Sequence, residues 1–133
     1  MKQFSRLAAY ADAKTQCSEK LLVSGDASGH KIIGIYEMTN EIRHGKPVWT
    51  TKTLDKNKSR NKFIFATADN YWKIADEVDF NANTTKSNAV SAEKIETQLC
   101  PTDRLYKLYH MNGWQPHDKL QVKSYTGKVN FTL

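Results

Sequence analysis

No run of apolar residues in this chain approaches the roughly 20 needed to cross a bilayer as a helix. Cysteine is scarce: Cys17 and Cys100 are the only two, with no CxxC or other metal-binding spacing. The N-terminus carries no convincing secretory leader, because Leu7-Ala8-Ala9-Tyr10-Ala11 runs into Asp12 too soon. Catalytic signatures are missing as well. The four histidines, His30, His44, His110 and His117, sit in no nucleophile elbow and no HExxH arrangement. Ser24-Gly25-Asp26-Ala27-Ser28-Gly29-His30-Lys31 lacks the GxxxxGK[ST] spacing of a phosphate cradle, and Asp26 would repel phosphate. Helix-turn-helix, zinc-finger and RNP patterns are absent too. No catalytic residue, cofactor or metal is implied.

What is present describes a domain of short strands. At 133 residues, with 39% hydrophobic and 26% charged content, the chain fits one globular domain with a real core. Phe4, Leu7, Ala8 and Ala11 line one helical face, so residues 4–20 read as a helix on the domain flank. The division is then 1–20 as a helical extension and 21–133 as one β-rich domain. Leu21 to Ser24 is an apolar strand stopped by a turn-rich loop. Ile32 to Met38 follows, with Gly34 suggesting a bulge or a close backbone approach. The turn Arg43-His44-Gly45-Lys46-Pro47 leads into Val48 to Thr53 and completes a hairpin.

Two aromatic hairpins come next. Lys62 to Thr67 puts Phe63 and Phe65 on one face and Ile64 on the other. Asp69-Asn70 turns the chain into Tyr71 to Ala75, with Trp72 and Ile74 on a common face. Leu105 to His110 leads through Asn112-Gly113, a turn dipeptide of type I′ character, to Trp114. Between them, residues 91–99 read as one or two helical turns, with Ser91 as N-cap and Pro101 beyond the end. Lys119 to Ser124 alternates with period two and reads as a closing strand. The expected fold is mainly β: a small antiparallel barrel or sandwich with a short N-terminal helix. Ile35, Val48, Phe63, Phe65, Trp72, Ile74 and Leu108 should be largely buried.

The ordered pieces Val23-Ser24-Gly25, Gly34-x-Tyr36, His44-Gly45-Lys46-Pro47-Val48-Trp49, Phe63-x-Phe65, Trp72-x-Ile74, Pro101 and Trp114 span about residues 22–123. This text resembles a β-rich repeat module of multidomain proteins from protists, algae and marine invertebrates, close to "VSG, NGxY, NGKPVY, aromatic strand, WxI, P, W". The resemblance implies fold and modularity, and brings no catalytic residue or ligand with it. The chain departs from the pattern at His44, where Asn is usual, at Trp49, where Tyr is usual, and in the longer loop 53–61.

That loop is the leading functional candidate. Lys52, Lys56, Lys58, Arg60 and Lys62 fall within eleven residues that hold one acid, Asp55. Such a stretch attracts acidic partners through a salt-sensitive term, against the plainer reading of a solvated connector. The net charge of +6 and pI near 9.3 agree with attraction to polyanions. The alternative is a lectin-like glycan site built from Tyr71, Tyr109 and Trp114. Trp72 and Trp114, each just after a tight turn, also fit a core role, and the two tyrosines are the better surface groups. His110 and His117 flank one hairpin, but with Asp118 alone beside them they do not complete a metal site.

The expected function is therefore a non-catalytic binding or assembly module. Its partner is a protein or another acidic macromolecule, with a glycan as the alternative and nucleic acid without a motif to support it. Without a leader, a cytoplasmic or organellar location and free, partly buried thiols are favoured; a trimmed secreted form stays open. Sequons at Asn57, Asn83 and Asn130 matter only on a secretory route.

Overall fold

Short runs rich in β-branched and aromatic residues form nine strands and one short helix in the computed structural model, which describes residues 17–25, 31–51, 61–82, 89–95, 100–110, 113–117 and 119–126. The strands are β1 (Lys20–Ser24), β2 (Gly34–Arg43), β3 (Lys46–Thr51), β4 (Lys62–Ala66), β5 (Trp72–Asp76), β6 (Ala89–Ser91), β7 (Tyr106–His110), β8 (Gly113–His117) and β9 (Gln121–Ser124). Helix α1 (Glu77–Ala82) lies between β5 and β6.

All nine strands join one antiparallel sheet in the order β8-β7-β6-β5-β4-β3-β2-β1-β9. Its two outermost strands, β8 and β9, are eight antiparallel steps apart and so run in the same direction. Yet His117 and Gln121 are separated by only three residues, at most about 14 Å of extended chain. The sheet therefore curls until its edges meet, and the stretch 113–124 pairs first with β7 and then with β1. The result is a nearly closed barrel, which removes most of the exposed strand edge.

Period-two alternation sends one residue set inward. Leu21, Val23, Tyr36, Trp49, Ile64, Ala66, Trp72, Ile74, Ala89, Tyr106, Leu108 and Val122 form a single buried cluster. Trp49 and Trp72 meet edge to face at 5.9 Å. Each buried aromatic removes about 150–250 Å² from water, worth about 4–6 kcal/mol of transfer free energy. A second, smaller cluster lies on the outer face of β3, β4 and β5, where Val48, Phe65 and Ala75 are covered by Phe80 of α1, with Phe63 packed against them. Asp76 Oδ1 accepts the Asp79 N–H and caps this helix. Arg43 clamps it from outside, its guanidinium 3.6 Å from the Phe80 ring centre while Nη1 donates to the Phe80 carbonyl.

The mainly antiparallel β fold, the three hairpins and the opposed faces of β4 agree with the sequence reading. Val48, Phe65, Trp72, Ile74 and Leu108 are buried, whereas Ile35 and Phe63 are half-buried. Other expectations change. The helical turns expected over 91–99 do not form among its described residues: Ser91 ends β6, paired with Tyr106 of β7, 92–95 are irregular, and 96–99 lie outside the described residues. The sheet's register shift lies between Met38 and Ile42, not at Gly34, where a side chain would find open space. The helix expected over 4–20 falls outside the described residues up to position 16. Residues 17–20 are not helical: Cys17 is in the core, and Lys20 opens β1. Cys17 and Cys100 are bonded rather than free, their Cα atoms 5.5 Å apart. Sequence could not bring together two residues 83 positions apart; barrel closure does.

Candidate functional site

A barrel of this kind could hold a ligand inside, and among the described residues the interior is packed with large side chains. Tyr36, Trp49, Trp72 and Tyr106 are fully buried in the interior, and their polar atoms are directed to backbone where partners are seen. Tyr36 donates to the Ile32 carbonyl at 2.7 Å, Tyr106 to the Pro101 carbonyl at 2.6 Å, and Trp49 Nε1 to the Ser18 carbonyl at 3.1 Å. Burial raises the pKa of both phenols well above the ordinary tyrosine range. Trp72 Nε1 is buried without an acceptor among the described residues. These groups plug the barrel, so the candidate sites are on its outside.

The first lies where β3 ends and β4 begins. Residues 52–60, and with them Lys52, Lys56, Lys58 and Arg60, are outside the described residues. Their anchors are described: Thr50 pairs with Phe63 in adjacent strands, so the connection leaves and returns at one end of the barrel. Thr50 Oγ1 donates to the Lys62 carbonyl and Lys62 N–H to Thr51 Oγ1. Asn61 Nδ2 donates to Glu77 Oε1, and the Glu77 N–H donates back to the Asn61 carbonyl. Lys62 itself does not belong to an exposed basic stretch. It is 6% exposed and shares the inward parity of Ile64 and Ala66. Desolvation lowers its pKa; Asp76 and Asp79 oppose that shift and Lys31 adds to it. The sequence missed this because a lysine that opens a strand and one that closes a loop read alike.

The second candidate is aromatic. Trp114 is 36% exposed, so of the two tryptophans that follow tight turns only Trp72 belongs to the core. The β7–β8 register makes Tyr109 the Cα partner of Trp114 in the adjacent strand. Tyr71 is half-buried at the start of β5, with its backbone tied to Thr67, and β6 and β7 stand between it and Trp114. The three aromatic candidates therefore divide into a pair, Tyr109 and Trp114, and a separate residue, Tyr71.

Of the metal reading, Asp118 lies outside the described residues, and the two histidines are placed by backbone register alone. His110 pairs with Gly113 and His117 with Tyr106, at opposite ends of the hairpin and four residues apart along β7, about 13 Å. Among the described residues no three His, Cys, Asp or Glu side chains converge, and no helix is long and apolar enough to cross a membrane. Two surface grooves of about 320 and 310 Å³ flank Asp103, Arg104 and Leu105, one against Gln121, Val122 and Lys123, the other against Ser91 and Glu93. Lys123 Nζ lies 2.7 Å from Asp103 Oδ1, and Arg104 Nε donates to the Cys100 carbonyl.

Sequence reasoning missed two parts of this surface. Helix α1 was signalled by Asp76 followed by acidic Glu77 and Asp79 in a first turn. Strand β6 is three residues long and carries no comparable signal. No protein family, curated protein or solved structure matches this chain.

Proposed function

We propose that the protein is a non-catalytic binding or assembly module whose partner is an acidic macromolecule, met chiefly by Lys52, Lys56, Lys58 and Arg60. The observation that carries this reading is the filled barrel: with its interior occupied by tryptophan and tyrosine, recognition falls to the outer surface and the connecting loops. The connection 52–60 carries four cations in its sequence, and the strands that flank it pair with each other. Charges held this way contribute a long-range attraction that salt screens over about 8–10 Å.

Replacing Lys56, Lys58 and Arg60 together with Ser tests the reading. Capture on immobilised polyglutamate and on heparin across a salt series should weaken sharply, with the melting temperature unchanged. Equal capture of both proteins at every salt concentration means that the loop is a solvated connector.

A second reading is favoured by one observation, the exposure of Trp114 opposite Tyr109. There the module is lectin-like, and a sugar ring lies on the exposed indole of Trp114. The disulfide between Cys17 and Cys100 supports an oxidising location such as the extracellular space. Non-reducing mass analysis of protein from its native source, with and without alkylation, tests this; recovery of two free thiols defeats it.

A further inference from the structure

The outer face of β5–β8 carries more than an exposed tryptophan. Lys73 of β5 pairs with Val90 of β6, and Val90 with Lys107 of β7. Because the neighbours Trp72, Ile74, Ala89 and Leu108 are core residues, alternation places Lys73, Val90 and Lys107 on the outward side. Tyr109 lies two residues beyond Lys107 and pairs with Trp114. Strand spacing sets the Lys73 and Lys107 Cα atoms about 10 Å apart, with the Tyr109–Trp114 rung about 7 Å further along the strands. Beyond Lys73 the patch stops, because its partner Phe65 is covered by Phe80.

We infer that this face binds an anionic polysaccharide, one bearing carboxylate or sulfate groups. It rests on the reading of the protein as a binding module for an acidic macromolecule, and assigns that partner a second surface. A pyranose presents an apolar C–H face that suits the exposed indole of Trp114, while its neighbours' anionic groups reach Lys107 and Lys73. Charge complementarity selects this occupant over a neutral glycan, given two lysines on the patch and a net charge of +6. Single-stranded nucleic acid suits it less well, since that ligand uses a succession of stacking aromatics along a basic groove and the described side chains of this patch offer one exposed aromatic, Trp114.

The tryptophans make the experiment direct. Trp49 and Trp72 are fully buried, so acrylamide quenching of the native protein reports Trp114. Dextran sulfate and polygalacturonate, at low salt, should each shield it from the quencher, and uncharged dextran should not; protection by one of the two acids identifies sulfate or carboxylate as the group read. Calorimetric affinity for the shielding polysaccharide should fall at least about tenfold in Trp114→Ala and at least about fivefold in the Lys73→Ser/Lys107→Ser double variant, whose salt dependence should also flatten. The double variant keeps the test decisive if Trp114→Ala fails to fold. The inference is overturned if neither polysaccharide shields Trp114, if oligothymidylate shields it better than both, or if folded variants bind as the wild type does. Should those variants bind normally while Lys56→Ser/Lys58→Ser/Arg60→Ser does not, the loop reading survives and this one does not. Normal binding by all three defeats both.

Discussion

Raising the pH above the ordinary tyrosine range should unfold this barrel in a way that two named phenols control. Tyr36 and Tyr106 are fully buried, and each O–H donates to a backbone carbonyl. A phenolate in either place would lose its water and face that carbonyl oxygen, so burial holds both pKa values above the usual value of about 10. The unfolded chain releases these protons near pH 10 while the folded chain keeps them. Their contribution is therefore complete below about pH 10 and is lost as pH rises further. Each retained proton costs about 1.4 kcal/mol per pH unit, so the pair removes about 2.7 kcal/mol per unit, or about 5 kcal/mol by pH 12. That is comparable to the whole stability of a typical domain. Lys62 works in the opposite direction, because its pKa is lowered in the fold; its contribution rises with pH only up to about 10.5 and is then constant. Urea midpoints measured from about pH 10.5 to 12 thus isolate the phenols. Tyrosinate absorbance and far-ultraviolet ellipticity, followed together, should show ionisation of these two groups coincident with loss of the sheet. Tyr36→Phe and Tyr106→Phe should each halve the slope. Reversible ionisation of both phenols with ellipticity intact would refute the reasoning.

Three further outcomes are expected from the same geometry. Replacing Cys17 and Cys100 with Ser opens a link across 83 positions and should cost about 4–5 kcal/mol in urea unfolding, by the chain-entropy argument. Gly25→Ala should destabilise by about 3 kcal/mol or more, because its φ is +93° and the new Cβ would stand 1.8 Å from the Lys119 carbonyl oxygen. Gly45→Ala, with φ of +77° but open space around it, should cost only about 1–2 kcal/mol, and equal losses at the two sites would argue against a tight β1–β9 seam. Phe80→Ala strips the cover from Phe65, Ala75 and Val48 and should lose about 3 kcal/mol, with faster amide exchange confined to α1 and its neighbours; exchange that stays uniform would count against a separate outer cluster.

Much of the architecture was readable from local pattern. Phe63, Ile64 and Phe65 alternate so plainly that their opposed faces follow from strand geometry alone, and both faces prove to be covered. Trp72 and Ile74 read as one buried stripe for the same reason. The candidate site was less legible. Lys62 was grouped with the loop lysines because charge density ignores which way a side chain points. Trp114 resembled Trp72 in its position after a turn, and only neighbours distant in sequence distinguish the two. Tyr71 and Tyr109 looked equivalent, although β6 separates Tyr71 from the rung that Tyr109 shares with Trp114.

By itself, then, the sequence determined the local choices: strand period, turn positions at His44-Gly45 and Asp69-Asn70, and which aromatic residues were available to fill a core. Those depend on backbone sterics and on side chains within a few positions of one another. The tertiary structure alone decided what depends on contacts between distant segments: β9 beside β1, Cys17 bonded to Cys100, Phe80 folded over Phe65, and Lys73 in line with Lys107. Strand pairing and barrel closure make these choices, because a strand's inward and outward sets acquire their neighbours only when segments distant in sequence come together.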